Sequence, residues 1–458
     1  MEAVLEWSWD LLDDDVADLL VQLAVFTGGW TLRAAEAICD DATSVVDRLD
    51  ALVASSLVEV TDDLASTRFW MLEPVRQFAV ARLQADPRHA RLRDRHLVWW
   101  VQHATGRPVG EQWLSGRWAA ELRDEFDNFR AAVTHAVRTQ RVDDAATLLG
   151  AAHAFVMDSF GSMEVELLVN TVLADHPDPP ARLWLVSSIN RIGLNDYHAA
   201  KERCEIALER AAAEGDVACQ AWAADWLAAT LANSEPERAG ALADAALSSA
   251  REVGDRELLV VTLVWAGMAA YIAGDVVGAL GRFEEAEDVR PSEWSLASAH
   301  LDRSRAFVAL DIPEVGDPDA LLDASIAAAP RRGLHQRLAA FYHAFPRARD
   351  GDSAAVAALL NEAFELAITC QGANAYTDPA IAAAELLEVL GHPDEAAAII
   401  AALHRQLFTL PELYHRYLRA RARLPAAARP NRRLTLHELR DVVDAQLAVV
   451  SGESTAPA

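Results

Sequence analysis

The sequence predicts a mostly all-α chain, a small head followed by a long α-solenoid of stacked helix pairs. Three observations carry this. From Ala181 to Leu410 a small polar turn keeps returning between helix-length apolar runs, at Asn195-Asp196, Ser234-Glu235-Pro236, Gly274-Asp275, Gly316-Asp317, Gly351-Asp352 and Gly391-His392. The steps are 39, 40, 42, 35 and 40 residues, and a second set, Gly215-Asp216 and Gly254-Asp255, repeats after 39. Two helices per period of this length, with no strand between, are the mark of a helical-repeat array. The composition agrees: 52% of residues are apolar, with only 21 glycines and 18 prolines among 458 residues, which favours helix throughout. Residues 1–85 break the period and so form a separate unit.

Within that unit, Asp13-Asp14-Asp15 sits where a helix begins, and acidic groups there complement its positive end. Val16, Leu19, Leu20, Leu23 and Phe26 follow at helical spacing until Thr27-Gly28-Gly29 stops the run. Leu32–Cys39 fits a second helix, and Ser44–Ala54 a third with Val45, Leu49 and Leu52 on one face. Leu57–Val60 and Arg68–Leu72 alternate like short strands joined through Asp62-Asp63, and Pro74 opens a closing helix that reaches Leu83. Three helices, a two-stranded ribbon and a last helix describe a winged helix.

Several phrases in series resemble the segment that follows the nucleotide-binding core in STAND-class regulatory ATPases, found among LuxR-type and antibiotic-pathway transcriptional regulators. They are Leu5–Leu12, Leu23–Leu32, Leu49–Val58, Met71–Ala79 and the stretch Glu125-Phe126-Asp127-Asn128-Phe129-Arg130-Ala131-Ala132. Their order and spacing hold over about the first 175 residues, and the array afterwards matches in type. The resemblance implies a winged helix and a repeat arm working beside an ATPase module. A P-loop needs a lysine after a glycine-rich turn. The sole lysine, Lys201, lies inside a helical run, so nucleotide hydrolysis by that device is not expected of this sequence. The expected partner is then a separate P-loop ATPase module, with this chain a gene fragment, a split-gene product or a stand-alone relative. The winged helix would act as a lever against that module.

Residues 86–180 read as a helical linker leading into the arm. Arg82, Arg88, Arg91, Arg93 and Arg95 form a basic cluster, and His89, His96 and His103 recur every seven residues, about 10.5 Å apart along a helix. That is too far for a shared metal, so a solvated helix face is expected. Trp99, Trp100, Trp113 and Trp118 are expected to pack this linker against the first repeats, and Asp127-Asn128 to serve as a cap or turn.

In the array, residues 181–410, Trp222 follows Trp184 by 38 residues and Trp265 follows Trp226 by 39. First helices line the inner side of tetratricopeptide-type superhelices, so Trp222, Trp226, Trp265 and Tyr271 are candidates for the floor of a partner-binding groove. The alternative is that tryptophans at repeat spacing fill the gaps between stacked pairs. The step exceeds the usual 34 residues, which makes the array tetratricopeptide-like. Residues 411–450, with Tyr414, His415, Arg416, Tyr417, Arg419, Arg421 and Arg423, read as capping helices, or else as an arginine-tyrosine contact for nucleic acid. Residues 451–458 read as a disordered tail.

A formal charge of −28 disfavours nucleic acid and anionic lipid as partners. Residues 1–85 hold 16 acidic and 5 basic side chains. Arg48, on the helix that would enter a major groove, is flanked by Asp47 and Asp50, so DNA reading by the winged helix stands only as an alternative. Cys39, Cys204, Cys219 and Cys370 form no C-x-x-C, no apolar run is long enough for a membrane, and no basic-then-apolar leader is present. These features predict a soluble cytoplasmic protein. No serine-hydrolase, zinc-protease or dinucleotide motif occurs, and His437-Glu438 fails the zinc pattern. No metal or cofactor is expected. The sequence thus predicts a non-enzymatic sensing arm that binds a protein, a peptide or a small-molecule inducer. An unrecognised active site in the groove is the remaining alternative.

Overall fold

Two ways of burying apolar surface, one irregular and one periodic, build this chain. The computed structural model describes residues 2–41, 44–62, 67–107, 113, 115–159, 162–194, 196–291, 295–328, 342–344, 347, 350–369, 377–403, 411–425, 427, 434 and 436–451. Asp63, Asn195, Cys370, Pro430 and the tail beyond Ser451 lie outside them. Contacts divide the chain into a head unit of residues 1–108, 120–151 and 170–178, and an arm unit of residues 109–119, 152–169 and 179–458.

The head begins with α1 (Glu2–Asp10) and α2 (Asp14–Leu23), whose Val16, Leu19, Leu20 and Leu23 are buried at the expected spacing. After the Gly28-Gly29 turn come β1 (Trp30–Thr31), α3 (Leu32–Ile38), α4 (Val45–Ala54), β2 (Glu59–Asp62), β3 (Thr67–Trp70) and α5 (Glu73–Ala85). The ribbon has three strands rather than the expected two, in the order β1-β3-β2, both pairs antiparallel. β1 is too short to announce itself by alternation. It forms because the turn lays Trp30 opposite Phe69. A Cβ at Gly29 would lie 2.9 Å from the Phe69 carbonyl oxygen, so only glycine permits that approach. Leu19, Leu20, Phe26, Trp30, Leu49, Leu52, Val75, Ala79 and Leu83 share one core.

α6 (His89–Thr105) and α8 (Phe126–Arg138) pack together in the head unit, with α7 (Gly116–Asp124) between them in sequence and α9 (Val142–Gly150) after. The linker histidines do not line a solvated face. His96 is 1% exposed and meets Phe26 edge-on at 5.6 Å, and His103 stacks on Trp99 at 4.7 Å. Burial pulls the His96 pKa down to about 3. Asn128 is also more than a local cap. It lies in α8, and its side chain accepts from the Thr27 amide at 2.8 Å and donates to the Gly29 carbonyl at 2.7 Å. It thereby pins a turn a hundred residues away. Trp100 packs on Phe129 inside the head unit at 5.8 Å, not on the repeats.

The arm opens with α10 (His153–Ser159) and α11 (Met163–Asp175), the latter shared with the head unit. Antiparallel pairs follow: α12 (Ala181–Gly193) with α13 (Tyr197–Glu214), α14 (Val217–Leu231) with α15 (Pro236–Val253), and α16 (Arg256–Ile272) with α17 (Val276–Asp288). Next come α18 (Leu296–Ala309) with α19 (Pro318–Ala328), then α20 (Ser353–Thr369), and α21 (Thr377–Val389) with α22 (Pro393–Ala402). α23 (Pro411–Arg423) and α24 (Leu436–Ser451) end the described arm. Gly215 and Gly254 end their helices at φ 71°, a left-handed conformation that suits glycine. The aspartate that follows then caps the next helix. Asp216 accepts from the Cys219 amide at 3.1 Å and Asp255 from the Leu258 amide at 2.9 Å, and Asp275 and Asp352 repeat the bond. Tetratricopeptide-like helix pairs are therefore what the turn chemistry dictates.

The two helices of a pair have different burial. Second helices bury one narrow stripe of small residues: Ala200, Cys204, Ala207 and Ala211 on α13, then Ala239, Ala243, Ala246 and Ala250 on α15. First helices are buried on nearly every side, α14 from Ala218 to Leu231 with few gaps. Small side chains let helix axes come close, to roughly 8 Å, and leave the larger spaces to the first helices' rings.

Candidate functional site: the row of first helices

Successive first helices α12, α14, α16 and α18 touch one another directly as well as their own partners. This row holds the four candidate residues Trp222, Trp226, Trp265 and Tyr271, which are 1%, 1%, 5% and 7% exposed. The Trp222 ring stacks on Trp113 at 5.5 Å with the planes 6° apart, and His153 meets both rings within 4.7 Å. Trp226 packs on Trp265 at 5.6 Å, and Trp265 on His300 at 4.9 Å. The rings fill the spaces between pairs, and none offers a face to solvent. Burying roughly 200 Å² per ring, they contribute about 5 kcal/mol each before side-chain entropy is counted.

Tyr271 is covered by α23. Its hydroxyl donates to Asp311, which also accepts from the Arg419 guanidinium at 2.8 Å. Arg416, the most buried arginine of α23, donates to Glu385 at 2.9 Å and to the Phe307 carbonyl at 3.3 Å, and its guanidinium lies 4.3 Å from the Phe307 ring centre. Burial presses the Arg416 pKa down, but the Glu385 and Asp311 carboxylates outweigh it and hold the cation. Burial and the Asp311 hydrogen bond push Tyr271 up to about 12. Arg423 closes the face on Glu388 at 2.8 Å. Of the arginines that the sequence left open to nucleic acid, Arg421 is exposed, while Arg416, Arg419 and Arg423 are thus paired within the arm. Their spacing on one face of α23, matched by Glu385 and Glu388, was the available signal.

Sequence reasoning missed Asp225. It lies between Trp222 and Trp226 on α14, is fully buried, and has Thr262 as its polar neighbour. Burial holds its pKa well above the usual carboxylate value. Nothing in an alanine- and tryptophan-rich helix tells a buried aspartate from a solvated one.

On the head, α4 turns Val46, Asp47, Asp50 and Ala54 outward. Arg48 is 7% exposed, and its guanidinium donates to the carbonyls of Ser44, Asp40 and Asp41 at 3.2, 3.3 and 2.9 Å. It holds the turn before α4 and does not reach outward. The face that would enter a major groove is apolar and acidic.

Residues 12–84 match the family model described as a winged helix-turn-helix domain. The head is a winged helix-turn-helix domain. Over 312 residues the chain is 28% identical to "Putative HTH-type transcriptional regulator Rv0890c" of Mycobacterium tuberculosis, and equally to Mb0914c, its namesake in Mycobacterium bovis. Each match covers 63% of this chain and 34% of the relative, so the chain spans about a third of the length of the curated relatives it matches. Among solved structures, a STAND protein with a tetratricopeptide repeat sensor from Pyrococcus horikoshii aligns with a TM-score of 0.47 at 12% identity, over 96% of this chain and 66% of that one. A Rap protein complexed with competence and sporulation factor aligns at 0.42 and 11%, over 94% and 99%. The helix pairs are assigned from this chain's own repeat geometry. A winged helix-turn-helix domain followed by tetratricopeptide-like pairs is the arrangement implied by the STAND resemblance. Among the described residues no helix is long and apolar enough to cross a membrane, and no cluster of three or more histidine, cysteine or acidic side chains is set to hold a metal.

Proposed function

We propose that this chain is the non-catalytic sensing and docking part of a signal-responsive transcriptional regulator. The winged helix-turn-helix domain is the element presented to an ATPase module, and the helix pairs receive a protein or peptide. The observation that carries this reading is the contrast between the two candidate surfaces. The outward face of α4 is acidic and apolar with Arg48 turned inward, whereas the arm stacks pair upon pair, an architecture suited to extended binding surfaces. An acidic α4 repels phosphates, which favours the lever role over DNA reading. The buried tryptophans fit a supporting part: they set the spacing of the helices that a partner would touch.

The test is affinity capture with the full chain, followed by reconstitution with the captured protein or peptide in purified form. Saturable binding that Asp47→Lys leaves unchanged supports the reading. Submicromolar binding of duplex DNA at 150 mM salt that Asp47→Lys strengthens, with no reconstituted partner, overturns it in favour of the DNA-reading alternative.

A further inference from the structure

The arginines at the start of α6 divide sharply by the company they keep. Arg88 pairs with Asp18 and with Asp86, Arg91 with Asp40 at 2.6 Å, and Arg95 with Asp40 at 2.7 Å. Arg93, on the face turned to α8, has no carboxylate partner among the described residues and donates to the Val25 carbonyl at 3.3 Å. That face opens on a cavity of about 440 Å³ inside the head unit, walled by α6, α8, the end of α5 and Thr27.

Five cationic or titratable bases line it: His89 and Arg93 from α6, and Arg130, His135 and Arg138 from α8, with Asp127 the one acid. Asp127 already binds Arg130 at 2.7 Å, and His135 is held by Asp94 at 2.8 Å. His89, Arg93 and Arg138 make no ion pair among the described residues. Burial, then the charges of Arg138 and Arg76, draws the Arg93 pKa below its ordinary value, and burial, Arg93 and His135 do the same to His89. The spacing is a helical one. His89 and Arg93 are four apart, and Asp127, Arg130, Thr134 and Arg138 follow at steps of three, four and four. Asn128 fixes the Thr27 wall by accepting from its amide at 2.8 Å. In a chain with 69 carboxylates and 41 lysines and arginines, two arginines and a histidine that make no ion pair among the described residues gather around one cavity, half-buried or exposed, and leave a local excess of positive charge there.

We infer that this cavity binds a phosphate-bearing small molecule. A guanidinium fork matches phosphate oxygens two at a time, and two unpaired arginines with an adjacent imidazole suit a multiply charged group. The volume is that of a small-molecule site, and Ala90 and Ala131 on its walls provide apolar room for an organic portion. A nucleic-acid backbone is the poorer occupant. The winged helix-turn-helix domain beside the cavity carries a strong negative excess. The site lies in the head unit and requires no partner on the row of first helices, so it stands apart from the docking reading.

The experiment uses the full chain and pyrophosphate as probe, by titration calorimetry at low ionic strength, with inorganic phosphate, citrate and a 20-base-pair duplex as parallel arms. Saturable pyrophosphate binding is expected, with Arg93→Gln or Arg138→Gln weakening it at least tenfold and Arg421→Gln, on an exposed arginine of α23, leaving it unchanged. Arginine-selective labelling of the unmutated chain needs no variant to fold: pyrophosphate should protect Arg93 and Arg138 and spare Arg421. Absence of both saturation and protection overturns the assignment, as does binding that survives both substitutions. Equal binding of citrate overturns the phosphate class, and protection by the duplex alone overturns the small molecule.

Discussion

The head unit and the arm unit reach the same end, a buried core in a very acidic chain, by opposite means. The head ties distant pieces of sequence together with single polar contacts. Asn128 holds the turn at Thr27 and Gly29, Arg68 pairs with Glu125, and Arg88 reaches Asp18. The arm places its ion pairs mainly between neighbouring pairs, as Lys201 with Glu235 and Arg251 with Glu285, and repeats one local solution: a left-handed glycine, an aspartate cap, a stripe of alanine and a bulky row. Losses in the head should therefore be shared by its whole core, and losses in the arm should stay near the altered pair.

The largest effect that sharpens this contrast is expected of Trp226→Ala, at about 3–5 kcal/mol for a buried ring. Hydrogen exchange should quicken in α14 to α17 and hold in α21 and α22. Leu20→Ala in the head should instead lower protection across α2 to α5 together. Uniform loosening of the arm would break the comparison.

Asn128→Ala comes next. It strands the Thr27 amide and the Gly29 carbonyl, at about 3 kcal/mol for two such groups, read from the denaturant midpoint. Asp127→Ala on the exposed side of the same turn should leave the midpoint nearly unchanged.

Acid reaches both regions through buried histidines. His96 in the head and His153 in the arm are both held near a pKa of about 3 by burial. The unfolded chain, with histidine near 6.5, binds the proton first, so stability falls as pH drops through 6.5 toward 3 and is flat above. At about pH 5 each histidine should cost about 2 kcal/mol, and His96→Phe should flatten the head's share of the profile. Asp225 works the other way. Its folded pKa is raised, so its contribution is greatest below the ordinary aspartate value and is lost as pH rises. Asp225→Asn should therefore be neutral or stabilising at pH 7.

The smallest effect belongs to Gly215→Ala. No atom lies within 4 Å of the added methyl, so the cost is the left-handed backbone alone, about 1 kcal/mol. A much larger loss would mean that the turns carry more of the arm than local chemistry allows.

By itself the sequence determined what is local. Turn spacing, glycine ends, aspartate caps and apolar stripes depend on residues a few positions apart, so the helix pairs, α2 to α5 and the winged helix were legible before any coordinates. Only the tertiary structure decided which polar side chains are spent and which remain. Arg48, Arg91 and Arg93 look alike in the sequence, yet the first is folded inward, the second neutralised by Asp40, and the third left facing a cavity beside Arg138. The same holds for Trp222, a ring at repeat spacing that proved to be covered by Trp113. Charge and exposure are set by neighbours that folding brings together, from Asp40 eight residues before Arg48 to Trp113 far from Trp222, and periodicity carries no record of them.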